Sequence, residues 1–105
     1  VDYNKKQIDG PTDDVLSLGD LRAKYESFGW KVWECNGNDM QELVDTFNKI
    51  RENAHKGQSQ ILLAHTEMGM GVDFMMGTHK WHGVAPNDEQ AANALSQLKE
   101  TLGDY

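Results

Sequence analysis

Residues 78–90 read "THKWHGVAPNDEQ". His79 and His82 flank Lys80 and Trp81, and Gly83 follows. An imidazole held on a loop can bind a metal, contact a phosphate or meet a substrate hydroxyl. With His55, His65 and Cys35 the chain has enough groups for a zinc site. The H-x-x-H spacing fixes no geometry outside a helix, so it carries little information about zinc. The plain alternative for His82 is an ordinary surface histidine.

A second group of candidates begins at Asn4, directly after the strand-like "VDY". Its amide oxygen, helped by a nearby main-chain carbonyl, is the kind of hard donor that magnesium takes beside phosphate oxygens. The other reading is a turn residue that tolerates left-handed backbone. A third group is apolar. Met68, Met70, Met75 and Met76, four of the five methionines, gather with Phe74 and Trp81 between residues 66 and 86. They either pack this segment down and fill an interface, or form a wall around a flat ring. Gly69, Gly71, Gly77 and Gly83 permit positive φ and close backbone approach. A glycine-rich turn after a strand can cradle phosphate, although "GMG" alone is a weak signal.

Three helices and three strands must position these groups. The first helix is expected from about Leu18 to Phe28, capped by Ser17 and ended by Gly29. The second runs from about Asp39 to Lys56, with Asn38 and Gln41 as a capping-box pair and Gly57 as its stop. Its apolar stripe is Met40, Leu43, Val44, Phe47, Ile50 and Ala54. The third runs from about Asp88 to Leu102, capped by Asn87 and ended by Gly103. Ala91, Ala94, Leu95, Leu98 and Leu102 are its inward side. "WKVWEC" (30–35) and "QILLAHT" (60–66) read as strands, and Val1 to Tyr3 as the tail of another. Alternation of strand and helix implies a parallel sheet. The long loops 4–16 and 66–86 both leave the carboxyl ends of strands, the edge where open α/β sheets bind ligands. A loop of that second length is usually functional or disordered.

The bulk numbers fit this picture. The 105 residues carry a net charge of −7, with 38% hydrophobic and 26% charged residues, as expected for one small globular domain. No basic patch forms, which argues against nucleic acid and anionic membrane as partners. Cys35 is alone and strand-flanked, so a buried inert thiol in a reducing, cytoplasmic setting is expected. No apolar run approaches a bilayer span, and no signal peptide is visible. The chain opens on Val1-Asp2-Tyr3, which reads like the interior of something longer.

"VDYNKKQIDGP", "FGWKVWECNGND", "AHTEMGMGVDFM" and "KWHGVAPNDE", in this order and at this spacing, resemble transketolase in its thiamine-diphosphate-binding domain. More narrowly, they resemble the second part of that domain, as in bacterial N-terminal transketolase subunits. The similarity runs from Val1 to about Leu102. It implies a partial α/β three-layer sandwich, with a short parallel sheet of two to three strands and about three helices. It also implies thiamine diphosphate and Mg2+ as cofactors, and transfer of a two-carbon ketol unit between sugar phosphates. Asn4 matches the asparagine that ends the family's Gly-Asp-Gly motif, a magnesium ligand through its side chain. Lys6 matches the position whose carbonyl also binds the metal. Ile8 matches an apolar residue beside the thiazolium. Met68 and Gly69 lie in the Thr-x-x-Gly-x-Gly turn that lines the cofactor. His82 matches a histidine that touches the diphosphate and the sugar, the one catalytic candidate.

The sequence departs from the family's pattern in two ways. Met68 and Met70 stand where many relatives have lysines, and the Gly-Asp-Gly portion is absent. The resemblance therefore implies partners: a half-domain bearing Gly-Asp-Gly and a pyrimidine-binding domain whose glutamate activates the cofactor. By itself the chain is expected to be inactive and to self-associate or be marginally stable, as a piece of a transketolase or one chain of a split enzyme. The alternative is a non-catalytic relative serving as an assembly module. A related synthase or dehydrogenase sharing the cofactor is a third reading, and "KWHG" leans toward transketolase.

Overall fold

The computed structural model describes residues 1–99. The elements follow the chain as β1 (Asp2–Tyr3), β2 (Lys6–Gln7), β3 (Gly10–Pro11), α1 (Thr12–Val15), α2 (Leu21–Ser27), β4 (Lys31–Asn36), α3 (Met40–Glu52), β5 (Gln60–His65) and α4 (Asp88–Gln97). The main sheet has the order β1-β5-β4 and both pairings are parallel. β4 and β5 run in register from Lys31 opposite Gln60 to Asn36 opposite His65. β1 adds Asp2 opposite Ala64 and Tyr3 opposite His65. The expected three-stranded parallel α/β sheet is therefore present.

Successive strand side chains point to opposite faces. Arg22 of α2 reaches Glu34 of β4 at 3.2 Å, while Lys31 of β4 reaches Asn53 at the end of α3, also at 3.2 Å. Glu34 and Lys31 differ by an odd number of positions, so α2 and α3 cover opposite faces. The buried hydrophobic residues are Val32, Cys35 and Leu63 in the sheet and Val72 in the following loop. Leu63, 1% exposed, is the centre of this core. Cys35 is buried, as its strand setting predicts.

Several boundaries differ from the sequence expectation. α2 starts at Leu21, three residues late, because Asp20 rather than Ser17 takes the capping bond, from the Ala23 amide at 2.9 Å. Ser17 instead accepts from Gly19 and donates to Asp13. α3 is capped by Asp39, not Asn38, and ends at Glu52, before Lys56. α4 has the expected Asn87 cap, as a full capping box with Gln90, but ends at Gln97 with Leu98 extended. Leu102 and Gly103 lie outside the described residues. The loop 4–16 is not irregular throughout: it holds the two-residue strands β2 and β3 and the single turn α1.

The apolar stripes are also less covered than periodicity implies. On α3, Leu43, Thr46 and Ile50 turn toward the protein, whereas Met40, Val44 and Phe47 are exposed. On α4, Ala91 and Ala94 are half-buried, while Leu95 is 70% exposed and Leu98 is exposed too. Leu43 and Phe47, with Val1, Ile61, Leu62 and Ala64, line an open groove of about 500 Å³ on one sheet face.

Candidate functional site

Both long segments leave the carboxyl edge of the sheet, one after β1 and one after β5. The first begins with a tight turn. Asn4 Oδ1 accepts the Lys6 amide at 2.9 Å, and Lys5 between them has φ 57°. The Lys5 carbonyl accepts the Thr12 amide at 3.0 Å, and the Lys5 ammonium stands 5.7 Å from the Tyr3 ring centre. β2 and β3 then pair antiparallel, with Gln7 opposite Gly10, which carries Ile8 on the hairpin tip. Ile8 is 65% exposed, so most of its burial free energy is left unused within these residues.

The second segment is pinned at several points. Asn38 Oδ1, unused as a helix cap, accepts the Glu67 amide at 2.6 Å. Glu67 Oε1 accepts the Gly77 amide at 2.7 Å. Trp81 Nε1 donates to the Phe74 carbonyl at 3.0 Å, and the two rings meet edge-on at 5.3 Å. Asp73 and Gln97 exchange bonds at 2.8 and 2.9 Å, which ties the loop to α4. Trp81 thus serves the loop's own packing. His79 is half-buried and its carbonyl accepts the His82 amide at 2.9 Å, while the His82 side chain is exposed.

The two segments meet: a side chain at Gly83 would stand 3.9 Å from Ile8 Cδ1. That places Ile8 beside the residue that follows His82. In the turn 66–71, Gly69 has φ 74°, and a side chain there would lie 2.6 Å from Met75 Cβ. Gly69 is therefore required by Met75 packing as well as by its backbone conformation. Met68 is half-buried and Met70 exposed.

A carboxamide oxygen has two acceptor positions, and among the described residues one donor, the Lys6 amide, reaches that of Asn4. The second position is a neutral hard oxygen, of the kind that suits magnesium rather than a softer metal. Among the described residues no three His, Cys, Asp or Glu side chains converge to hold a metal ion. His55, His65 and Cys35 do not join His79 and His82 in such a group.

Sequence reasoning missed two groups beside Asn4. Asp2 accepts from Asn4 Nδ2 at 3.4 Å through one oxygen and from the Thr66 hydroxyl through the other. The signal was present, since residues 2 and 4 of an extended segment share a face. It also missed Asn38 and Glu67 as loop anchors, because Asn38 reads as a cap.

Comparison with known proteins is consistent across sequence and structure. The family described as "Transketolase, thiamine diphosphate binding domain" matches residues 1–103. The chain is 37% identical to an apulose-4-phosphate transketolase subunit of Phocaeicola vulgatus, over 97% of this chain and 36% of that protein. It is 38% identical to the corresponding protein of Actinobacillus succinogenes, over 94% and 35%. A 6-deoxy-6-sulfo-D-fructose transketolase subunit from a Clostridium species is 30% identical, over 94% and 35%. The chain thus spans about a third of the length of these curated relatives. Among solved structures, a transketolase variant from Pichia stipitis superposes with a TM-score of 0.78 at 25% identity, covering 90% of this chain and 14% of that one. With this fold, these loops at the strand ends and a match across nearly every residue, the chain belongs to the transketolase family, within its thiamine diphosphate binding domain.

Proposed function

We propose that this chain works as part of a thiamine-diphosphate- and Mg2+-dependent transketolase that moves a two-carbon ketol unit between anionic sugars. The observation that carries the reading is the meeting of the Asn4 turn and the His82 loop at Ile8 and Gly83, on the carboxyl edge of a parallel sheet. When bound, thiamine diphosphate supplies the electron sink for cleaving a bond beside a ketone. The chain's residues bind and orient. Asn4 Oδ1 and the Lys6 carbonyl would hold Mg2+. Ile8, Met68 and Gly69 would line the cofactor, and His82 would donate to the diphosphate or to a sugar hydroxyl.

The substrate class follows the relatives, whose names carry a sugar phosphate and a sulfonated sugar. The reading requires the remainder of a transketolase, the Gly-Asp-Gly half-domain and the pyrimidine-binding domain, whether in the same polypeptide or in a partner chain. An exposed Ile8 and an open apolar groove on the sheet support that requirement.

The test is ketol transfer by the full-length protein assembled with its partner chain, comparing wild type with Asn4→Ala and His82→Ala. Asn4→Ala is expected to weaken Mg2+-dependent cofactor binding by about 10- to 100-fold, the usual loss when a metal site is disturbed. His82→Ala is expected to lower kcat/KM by roughly 100-fold, the scale of one lost donor to a reacting group. Wild-type behaviour in both variants would favour an assembly module without catalytic contacts.

A further inference from the structure

We infer that Asp2, held in place by Thr66, is the positioning residue that fixes the orientation of the Asn4 amide. The inference rests on the reading of Asn4 as a magnesium ligand. An aspartate carboxylate offers only acceptors, so the nitrogen end of the Asn4 amide must face it. The bond from Asn4 Nδ2 to Asp2 Oδ2 is 3.4 Å. The amide oxygen then turns the other way, toward the Lys6 amide at 2.9 Å and into the Lys5 turn. Rotated by half a turn, the same side chain would present two N–H groups to a cation, which repel it.

Asp2 is itself constrained. Its other oxygen takes the Thr66 hydroxyl. Thr66 is β-branched and has few χ1 choices. Its methyl fits against Gly37, where any side chain would lie 2.5 Å from Cγ2. The methyl occupies that space and the hydroxyl is directed to Asp2. Thr66 also opens the turn that carries Met68 and Gly69. The carboxyl ends of β4, β5 and β1 are thereby joined through Gly37, Thr66, Asp2 and Asn4, so the metal turn and the glycine turn keep one relative position.

The experiment uses the full-length protein assembled with its partner chain. Two quantities are measured: the Mg2+ dissociation constant with thiamine diphosphate present, and hydrogen exchange of the Lys6 amide without metal. Thr66→Val and Asp2→Asn are expected to raise the Mg2+ constant about tenfold and to speed Lys6 exchange, whereas Thr66→Ser, which keeps the hydroxyl but loses the methyl that directs it, falls between Thr66→Val and wild type. Wild-type values in Thr66→Val and Asp2→Asn, with Asn4→Ala still weakened, would overturn the positioning role and leave the metal reading intact. An unchanged constant in Asn4→Ala would overturn the metal reading and this inference with it. If Thr66→Val fails to assemble, Asp2→Asn decides by the same two measurements.

Discussion

Gly69 illustrates how a residue without a side chain can be the most constrained in its turn. Its φ of 74° is unfavourable for any other L-residue, and the space beside it holds Met75 Cβ at 2.6 Å and the Met75 carbonyl carbon at 2.9 Å. Gly69→Ala therefore adds backbone strain and overpacking at once. We expect a loss of about 1–3 kcal/mol, read as a lower midpoint in urea unfolding. The same residue scale shows where sequence reasoning reached and where it stopped. Asn4, Ile8 and His82 stand out as candidates by their places in ordered motifs. Asp2 and Thr66 lie 64 positions apart, and nothing local in either predicts that their side chains bond.

Among the elements, the caps divide the legible from the illegible. Asn87 reads as a cap and is one, within a full capping box that only the structure shows: it accepts the Gln90 amide at 2.8 Å, and the Gln90 side chain accepts the Asn87 amide at 2.9 Å. Asn87→Ala should cost about 1 kcal/mol, visible as faster amide exchange in the first turn of α4. Asn38 and Asp39 are both good caps by type, and adjacent acceptors cannot be ranked without knowing where the chain turns. The fold assigns Asp39 to Glu42 and uses Asn38 to hold Glu67. Asp39→Ala is accordingly expected to loosen the start of α3 by about 1 kcal/mol. Asn38→Ala should leave that turn intact and expose the Glu67 amide to exchange, a contrast that exchange measurements on the two variants resolve.

At the scale of the whole molecule the chain is a slab of 51 × 38 × 16 Å. Its radius of gyration is 16.8 Å, whereas a compact domain of this length has about 13 Å. It exposes 7657 Å², against about 5,900 Å² for a compact monomer of its mass. The excess is consistent with the exposed Met40 and Phe47 and with the open groove that Leu43 and Phe47 line. Residues 1–105 prepared alone are therefore expected to associate through this apolar face. Sedimentation should report species above 11.8 kDa, and Phe47→Glu should shift them toward monomer. A monomeric wild-type chain at high concentration would contradict the expectation.

Sequence by itself determined the α/β alternation, the parallel sheet, the buried Cys35 and the sheet edge at which Asn4 and His82 emerge. Those features follow from periodicity and chain order, which are local or nearly so. It also carried the family, through four motifs in a fixed order. Only the tertiary structure decided which apolar stripes are covered, which of two neighbouring polar residues caps a helix, and that Ile8 meets Gly83. Each of these depends on a partner distant in sequence, and a side chain's type states what it can bond without stating what will stand beside it.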